Sequence, residues 1–264
     1  MANYSAKDVS TLRQMTGAGM LDCKKALDET DGDIEKAAQL LREQGKAGAA
    51  KRSDREASEG AVAAVRSGDA AAVVELRCET DFVAKSAEFV ALADELAALV
   101  AAKGEDAVSE LDNEIGNLRS TLKENISVGR VRRLVAEAGQ VVDTYLHQQA
   151  GRGVNAVAVV LEGGTEELAH DIAVHIAFAK PAYLSRDEVP ADEVAAERAT
   201  LETISRNEGK PEAALEKIVD GRMNGWFKER VLLDQSYVRD EKQSIASMLG
   251  SARIVAFAQV VVGA

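Results

Sequence analysis

The same order of patterns occurs twice in this chain, and that repetition constrains its architecture more than any other feature. In the first instance AVAAVRS, the turn SGDA and AVVELRC alternate with period 2, and Phe89, Leu92, Leu96 and Leu99 then follow at helical spacing until Lys103 and Gly104. In the second, QVVDTYLH, the turn AGRG and NAVAVVLEG precede TEELAHDIAVHIAFAKP. There Thr165 suits an N-cap, Glu166 and Glu167 the positive end of the helix dipole, Lys180 the negative end and Pro181 a stop. A hairpin followed by a helix, used twice, predicts two related α+β halves rather than one large sheet. On the second strand of the first hairpin, Val74, Leu76 and Cys78 share one face and Glu75, Arg77 and Glu79 the other. This pattern predicts a hairpin packed on one side only.

Around this repeat the chain reads as mostly helical. Val108, Leu111, Ile115, Leu118 and Leu122 mark a helix, and SVGRVRRLVAEAG returns to strand character. From Pro190 to Leu233 the pattern is helical, broken at NEGKP, which describes a helical hairpin at about 190–233. Ile245, Met248 and Leu249 mark a short helix before the closing strand SARIVAFAQVVVGA.

Ahead of the repeat, Ser5 with Asp8 forms a capping pattern before Val9, Leu12 and Met15. A second helix is expected from Asp22, and a third from Asp33 to Gly45. The expected units are residues 1–45, a three-helix bundle; 46–59, an exposed linker with room for some helix at its start; 60–139, a first α+β subdomain; and 140–264, a second that carries the helical hairpin.

The net charge of -12 comes from 44 acidic and 32 basic residues and opposes affinity for a polyanion, so nucleic acid is not expected as a direct partner. Residues 1–56 hold 10 Lys/Arg and 10 Asp/Glu, so the deficit lies wholly beyond them. No apolar run is long enough for a bilayer and the start MANYSAKDVS lacks a secretory pattern, which places the expected location in the cytoplasm, away from membranes. Cys23 and Cys78 are read as buried, inert thiols.

Few residues invite chemistry. His170 and His175 lie five apart on a helix, on different faces, and are poor joint metal ligands. No phosphate loop, dinucleotide fingerprint or HExxH occurs, so neither cofactor, metal nor enzymatic activity is expected. Arg130, Arg132 and Arg133 read as a solvated strand face or as partners of nearby Glu. Met20 and Leu21 are either the core of the small bundle, which the pattern slightly favours, or an exposed apolar contact. In CETDFVAK, Asp81 suits an N-cap, and Phe82, seven residues before Phe89, suits the first position of the buried stripe.

Three stretches shift that reading. TGAGMLDCKKAL with DGDIEKAAQLLREQG, CETDFVAK, and HIAFAKP resemble the elongation factor Ts family, the bacterial guanine-nucleotide exchange factors of elongation factor Tu, over nearly the whole chain and in order. The resemblance implies an N-terminal three-helix domain of the ubiquitin-associated type, then two related α+β subdomains with an inserted helical hairpin. It further implies that Thr80, Asp81, Phe82 and Val83 enter the nucleotide-binding domain of elongation factor Tu beside its Mg²⁺ site, with the ring as a wedge and the acid disturbing the ion's water shell. Met20 and Leu21 become candidate contacts to that domain, and His147 matches a family contact histidine. A further C-terminal helical segment of certain relatives is not expected here. Self-association through the helical hairpin stays open. A non-catalytic adaptor, with the bundle binding another protein, is the competing reading; a cysteine-dependent hydrolase built on Cys78 is a weaker one.

Overall fold

The computed structural model describes residues 3–50 and 54–264. Helices α1 (Ala6–Thr16), α2 (Met20–Glu29) and α3 (Ile34–Ala50) pack around Leu12, Cys23, Ala26, Leu27 and Ala37. Ser5 and Asp8 form the expected capping box, and Gly17 closes α1 in the left-handed region. Two bounds differ from expectation. Helix α2 begins at Met20 rather than Asp22 and so places Met20 and Leu21 in its first turn. Helix α3 does not stop at Gly45 but continues to Ala50. Gly45 instead lets α3 approach a neighbour, because a Cβ there would lie 2.9 Å from the Cβ of Ser120. Of the expected linker, residues 51–53 lie outside the described residues.

The repeat becomes two similar three-stranded antiparallel sheets. Strands β1 (Glu59–Ser67) and β2 (Ala70–Cys78) form the first hairpin, followed by the single-turn helix α4 (Asp81–Ala84) and by α5 (Ala87–Lys103). A 3₁₀ turn (Glu105–Leu111) and α6 (Asp112–Leu122) share the stretch where one helix was expected; β3 (Ser127–Val135) then pairs with β2. The second half runs β4 (Gln140–Gln149), β5 (Arg152–Glu162) and α7 (Glu166–Ala179). Helices α8 (Ala191–Asn207) and α9 (Glu212–Arg230) form the expected hairpin around Leu215, Val219 and Met223. The small pair β6 (Ser236–Tyr237) and β7 (Asp240–Ser244) follows, in a polar run that shows no apolar alternation. Helix α10 (Ile245–Leu249) leads to β8 (Arg253–Val261), which pairs with β5. The strand orders are thus β1-β2-β3 and β4-β5-β8, with the third strand of each sheet joining the second strand of its hairpin.

Helix α5 covers one face of the first sheet through Phe89, Leu96 and Val100, and α7 covers one face of the second through Ile172 and Ile176. The remaining faces pack on each other: Val62, Ala71 and Val73 meet Val142, Ala156, Ala158 and Val160. The expectation of a hairpin packed on one side only is therefore wrong, because the second sheet supplies a cover that the local pattern cannot reveal.

Glu75 lies on that covered face and is fully buried. Arg77 donates to its carboxylate at 2.9 Å, as do the Arg130 backbone N–H at 3.2 Å, the Arg130 side chain at 3.4 Å and the Gly263 N–H at 3.2 Å. Desolvation opposes ionisation, but the Arg77 hydrogen bond and the backbone donors outweigh it and hold the carboxyl below its ordinary range. Gly129 leaves the required space, since a Cβ there would sit 2.4 Å from Glu75 Oε2. Arg130 also donates to the Val261 carbonyl, which ties the end of β8 to the first sheet. Arg130 thus pairs with Glu, one of the two alternatives read from sequence; Arg133 donates instead to the Ala101 carbonyl at 3.0 Å and, through its backbone, to Glu105 at 2.8 Å.

Candidate functional site

The corner between β2 and α5 exposes Phe82, 85% accessible, on an otherwise fixed backbone. Local rules explain how. Thr80, not Asp81, caps the single turn of α4: its backbone is extended, and its hydroxyl accepts the Val83 N–H at 3.4 Å. Ser86 then caps α5 by accepting the Phe89 N–H at 3.4 Å, so a new helix starts there. Phe82 and Phe89 consequently belong to different helices, and the seven-residue spacing does not put them on one stripe. The reading of Phe82 as core is wrong for that reason. Val83 and Ala84 turn inward to the cluster of Phe89, Leu92 and Ile126 and anchor the turn from beneath. Burying a Val side chain contributes about 1.5–3 kcal/mol to holding this turn down.

Asp81 is displaced from the capping role and pairs with Lys85, Nζ to Oδ2 at 2.5 Å, one helical turn on. That hydrogen bond, with the charges of Lys85 and Arg152 behind it, lowers its pKa. The acid is therefore a carboxylate at neutral pH, beside an exposed aromatic ring.

The strand end beneath is equally constrained. Cys78 is buried and its Sγ donates to the Thr80 carbonyl at 3.2 Å. Burial, reinforced by the charge of Glu124, pushes the thiol up to about 12, so it stays protonated and is a poor nucleophile. The hydrolase reading built on it loses its essential group.

Sequence reasoning overlooked Glu124, in the turn between α6 and β3. Its Oε2 accepts the backbone N–H groups of Glu79 and Thr80, each at 3.0 Å, and its Oε1 accepts the Thr80 hydroxyl at 2.5 Å. Only tertiary structure brings it there, 44 residues from Thr80. The preceding residue, Lys123, pairs with Asp22 of α2 at 2.6 Å.

The remaining candidates are also on the surface. Met20 and Leu21 are 62% and 74% exposed, against the preference for core, since the opposite side of α2 fills the bundle with Cys23, Ala26 and Leu27. His147 is exposed near the end of β4, with the Tyr145 hydroxyl 3.4 Å from its Nδ1. It lines a recess of about 500 Å³ with Arg152 and Phe178. Phe178, in the HIAFAKP stretch, is 78% exposed and was not singled out as a contact from sequence; its place among alanines at the end of an otherwise core helix was the available signal. The other two histidines separate as expected: His170 lies 2.9 Å from Asp143 at the surface, and His175 is buried against Gln235.

The geometry suits contact, with exposed apolar side chains carried on helices and no group of three or more metal-ligating side chains among the described residues. Comparison with known proteins finds relatives along the whole chain. The family model described as elongation factor TS matches residues 79–264. The protein named elongation factor Ts from Clavibacter michiganensis subsp. michiganensis is 48% identical over 278 aligned residues, covering all of both chains. That from Renibacterium salmoninarum is also 48% identical over the whole of both chains. The Mycobacterium ulcerans protein of the same name is 46% identical, over 96% of this chain and 95% of its own.

Proposed function

The chain belongs to the elongation factor Ts family, and we propose that it binds elongation factor Tu in its GDP form and releases the nucleotide by disturbing the partner's Mg²⁺ site. Membership itself supports a nucleotide-exchange role in translation elongation, which is a task of binding rather than of covalent chemistry. In this reading Thr80, Asp81, Phe82 and Val83 form the element that acts on the ion's surroundings. Met20, Leu21 and His147 are further contacts to the partner. The observation that carries the reading is Phe82, a large apolar side chain 85% exposed on a turn that is anchored beneath and capped at its start.

The physics needs only a small displacement. Mg²⁺ demands near-ideal octahedral geometry at about 2.0–2.1 Å and links nucleotide phosphates to protein ligands. A rigid ring pushed between the elements that carry those ligands costs the ion much of its binding energy. Phe is suited to this, with large area and few rotamers to freeze. The Asp81 carboxylate, on turning from its ion pair with Lys85, adds negative charge where the ion's hydration shell would be. Once the ion is lost, phosphate charge is poorly compensated and GDP leaves. Linkage makes the effect reciprocal: whatever factor the protein takes from nucleotide affinity, incoming GTP takes from the affinity of the protein. The protein then dissociates and acts again.

The test is to mix this protein with elongation factor Tu loaded with a fluorescent GDP analogue and follow release in excess GTP. Acceleration at substoichiometric amounts is expected; release at the unstimulated rate would overturn the assignment and leave an adaptor role.

A further inference from the structure

Strand β2 ends at Cys78, which pairs with Glu59, so the next two backbone N–H groups have no strand partner. They belong to Glu79 and Thr80, and both donate to one carboxylate oxygen of Glu124. The second oxygen accepts a hydrogen bond from the Thr80 hydroxyl, which orients that hydroxyl's lone pairs toward the Val83 N–H that it caps. The return contact is also made: Glu79 Oε1 accepts the backbone N–H of Asn125 at 2.7 Å. Two segments thus exchange hydrogen bonds at both residues, with Phe82 two positions beyond the clasp. Hydrogen bonds to an ionised carboxylate are roughly twice as strong as neutral ones, and three converge on this side chain.

We propose that Glu124 is the positioning residue for the Phe82 wedge in nucleotide exchange, acting through Thr80 rather than on the partner. The role rests on the wedge reading of Phe82. Without Glu124, the Glu79 and Thr80 amides turn to water, the Thr80 hydroxyl loses its orientation, and the turn that presents the ring samples other directions. The ring must then be ordered at the moment of contact, which lowers the rate of the productive encounter. A carboxylate is needed because all three partners donate. In Glu124→Gln, one of the two acceptor atoms becomes a donor facing donors, with volume preserved.

The test uses the full chain and GDP-loaded elongation factor Tu, with Glu124→Gln, Glu124→Ala, Phe82→Ala and the double variant Glu124→Ala/Phe82→Ala. Glu124→Ala should lower the efficiency of stimulated GDP release about tenfold, equivalent to about 1.4 kcal/mol, and Glu124→Gln should lower it by less. In the free protein, hydrogen exchange at the Thr80 and Val83 amides should quicken in both Glu124 variants and stay unchanged in Phe82→Ala. The double variant should be no slower than Phe82→Ala alone, because Glu124 has nothing left to position. If Glu124→Ala lowers the melting temperature markedly, the Gln variant with amide exchange decides the matter. Wild-type release rates in folded Glu124 variants would overturn the role, as would multiplying losses in the double variant, which would make Glu124 an independent contact. If Phe82→Ala itself releases GDP at the wild-type rate, the wedge reading fails first and the positioning role falls with it. If Phe82→Ala is slow while the Glu124 variants are not, only the role of Glu124 falls.

Discussion

Replacing Phe82 by Ala separates a contact residue from a core residue by magnitude. An aromatic side chain brings roughly 200 Å² to an interface when buried. With 85% of Phe82 exposed, roughly 170 Å² is still free to be covered by a partner, and at about 25 cal/mol per Å² this bounds the gain near 4 kcal/mol. Freezing the side chain costs about 0.5–1.5 kcal/mol, leaving about 3 kcal/mol, or roughly a hundredfold. The folded monomer has little to lose, because few neighbours touch the ring; the expected change in stability is within about 0.5 kcal/mol. A core Phe would instead cost about 3–5 kcal/mol. Stopped-flow release of a fluorescent GDP analogue from elongation factor Tu, beside urea denaturation of the variant alone, reads both quantities. Release slowed by one to two orders of magnitude with an unchanged denaturation midpoint is expected. A wild-type release rate, or a midpoint shift of core size, would refute the reasoning.

Other parts of the molecule predict independent outcomes. Burial pushes the Cys78 thiol up to about 12, so a thiol reagent should label it only as the protein unfolds; mass-spectrometric mapping that found rapid labelling in native buffer would contradict its place beneath the corner. His175 is buried and its pKa lies below the ordinary 6.5, chiefly through desolvation, so the unfolded chain takes up a proton there before the folded one does. Stability should therefore fall as pH drops below 6.5 toward the lower folded value and be unaffected by this group above it. His175→Gln should flatten that slope, and denaturation midpoints at about pH 7.5 and about pH 5.5 that change in parallel for both proteins would disprove it. Ala150 and Gly151 join β4 to β5 with φ of 52° and 82°, the both-positive turn that favours Asn-Gly. Ala150→Asn should add about 0.5–1 kcal/mol, read as a raised melting temperature.

What could be read from the sequence follows from how local each cause is. The hairpin-helix repeat was legible because strand alternation, a Gly turn and helical spacing are properties of a few neighbouring residues. Thr165 and Ser5 cap their helices as expected for the same reason. The stacking of the two sheets was not legible. Alternation put Glu75 on the opposite face from Leu76, and a charged residue on that face argued for water. What makes the face an interior one lies far off in sequence: Arg130 at 55 residues, Gly263 at 188, and the apolar row of β5 across the gap. A buried carboxylate with four donors looks, along the chain, like a solvated one.

The candidate corner was misread locally because a four-residue helix has no period to detect. Phe82 stands at the spacing from Phe89 that a continuous helix would bury, and Asp81 is a residue type that caps. The signals that break this pattern are two hydroxyls, Thr80 and Ser86, each followed three residues later by the amide that it accepts. Two caps within seven residues imply two helices, and two helices allow their apolar residues to point different ways: Phe89 into the core and Phe82 into solvent. The exposure of the ring is thus a consequence of backbone capping rather than of any special property of the ring. Such a mount holds only if the hydroxyl of its first cap is itself oriented, and the group that orients it lies far from Thr80 in sequence. That group, Glu124, directly follows the residue whose ion pair reaches Asp22, next to the exposed Met20 and Leu21. One turn of chain therefore ties both exposed apolar sets to the same frame, so changes at residues 123 and 124 should alter how Met20, Leu21 and Phe82 are presented, read as quickened amide exchange in both α2 and α4.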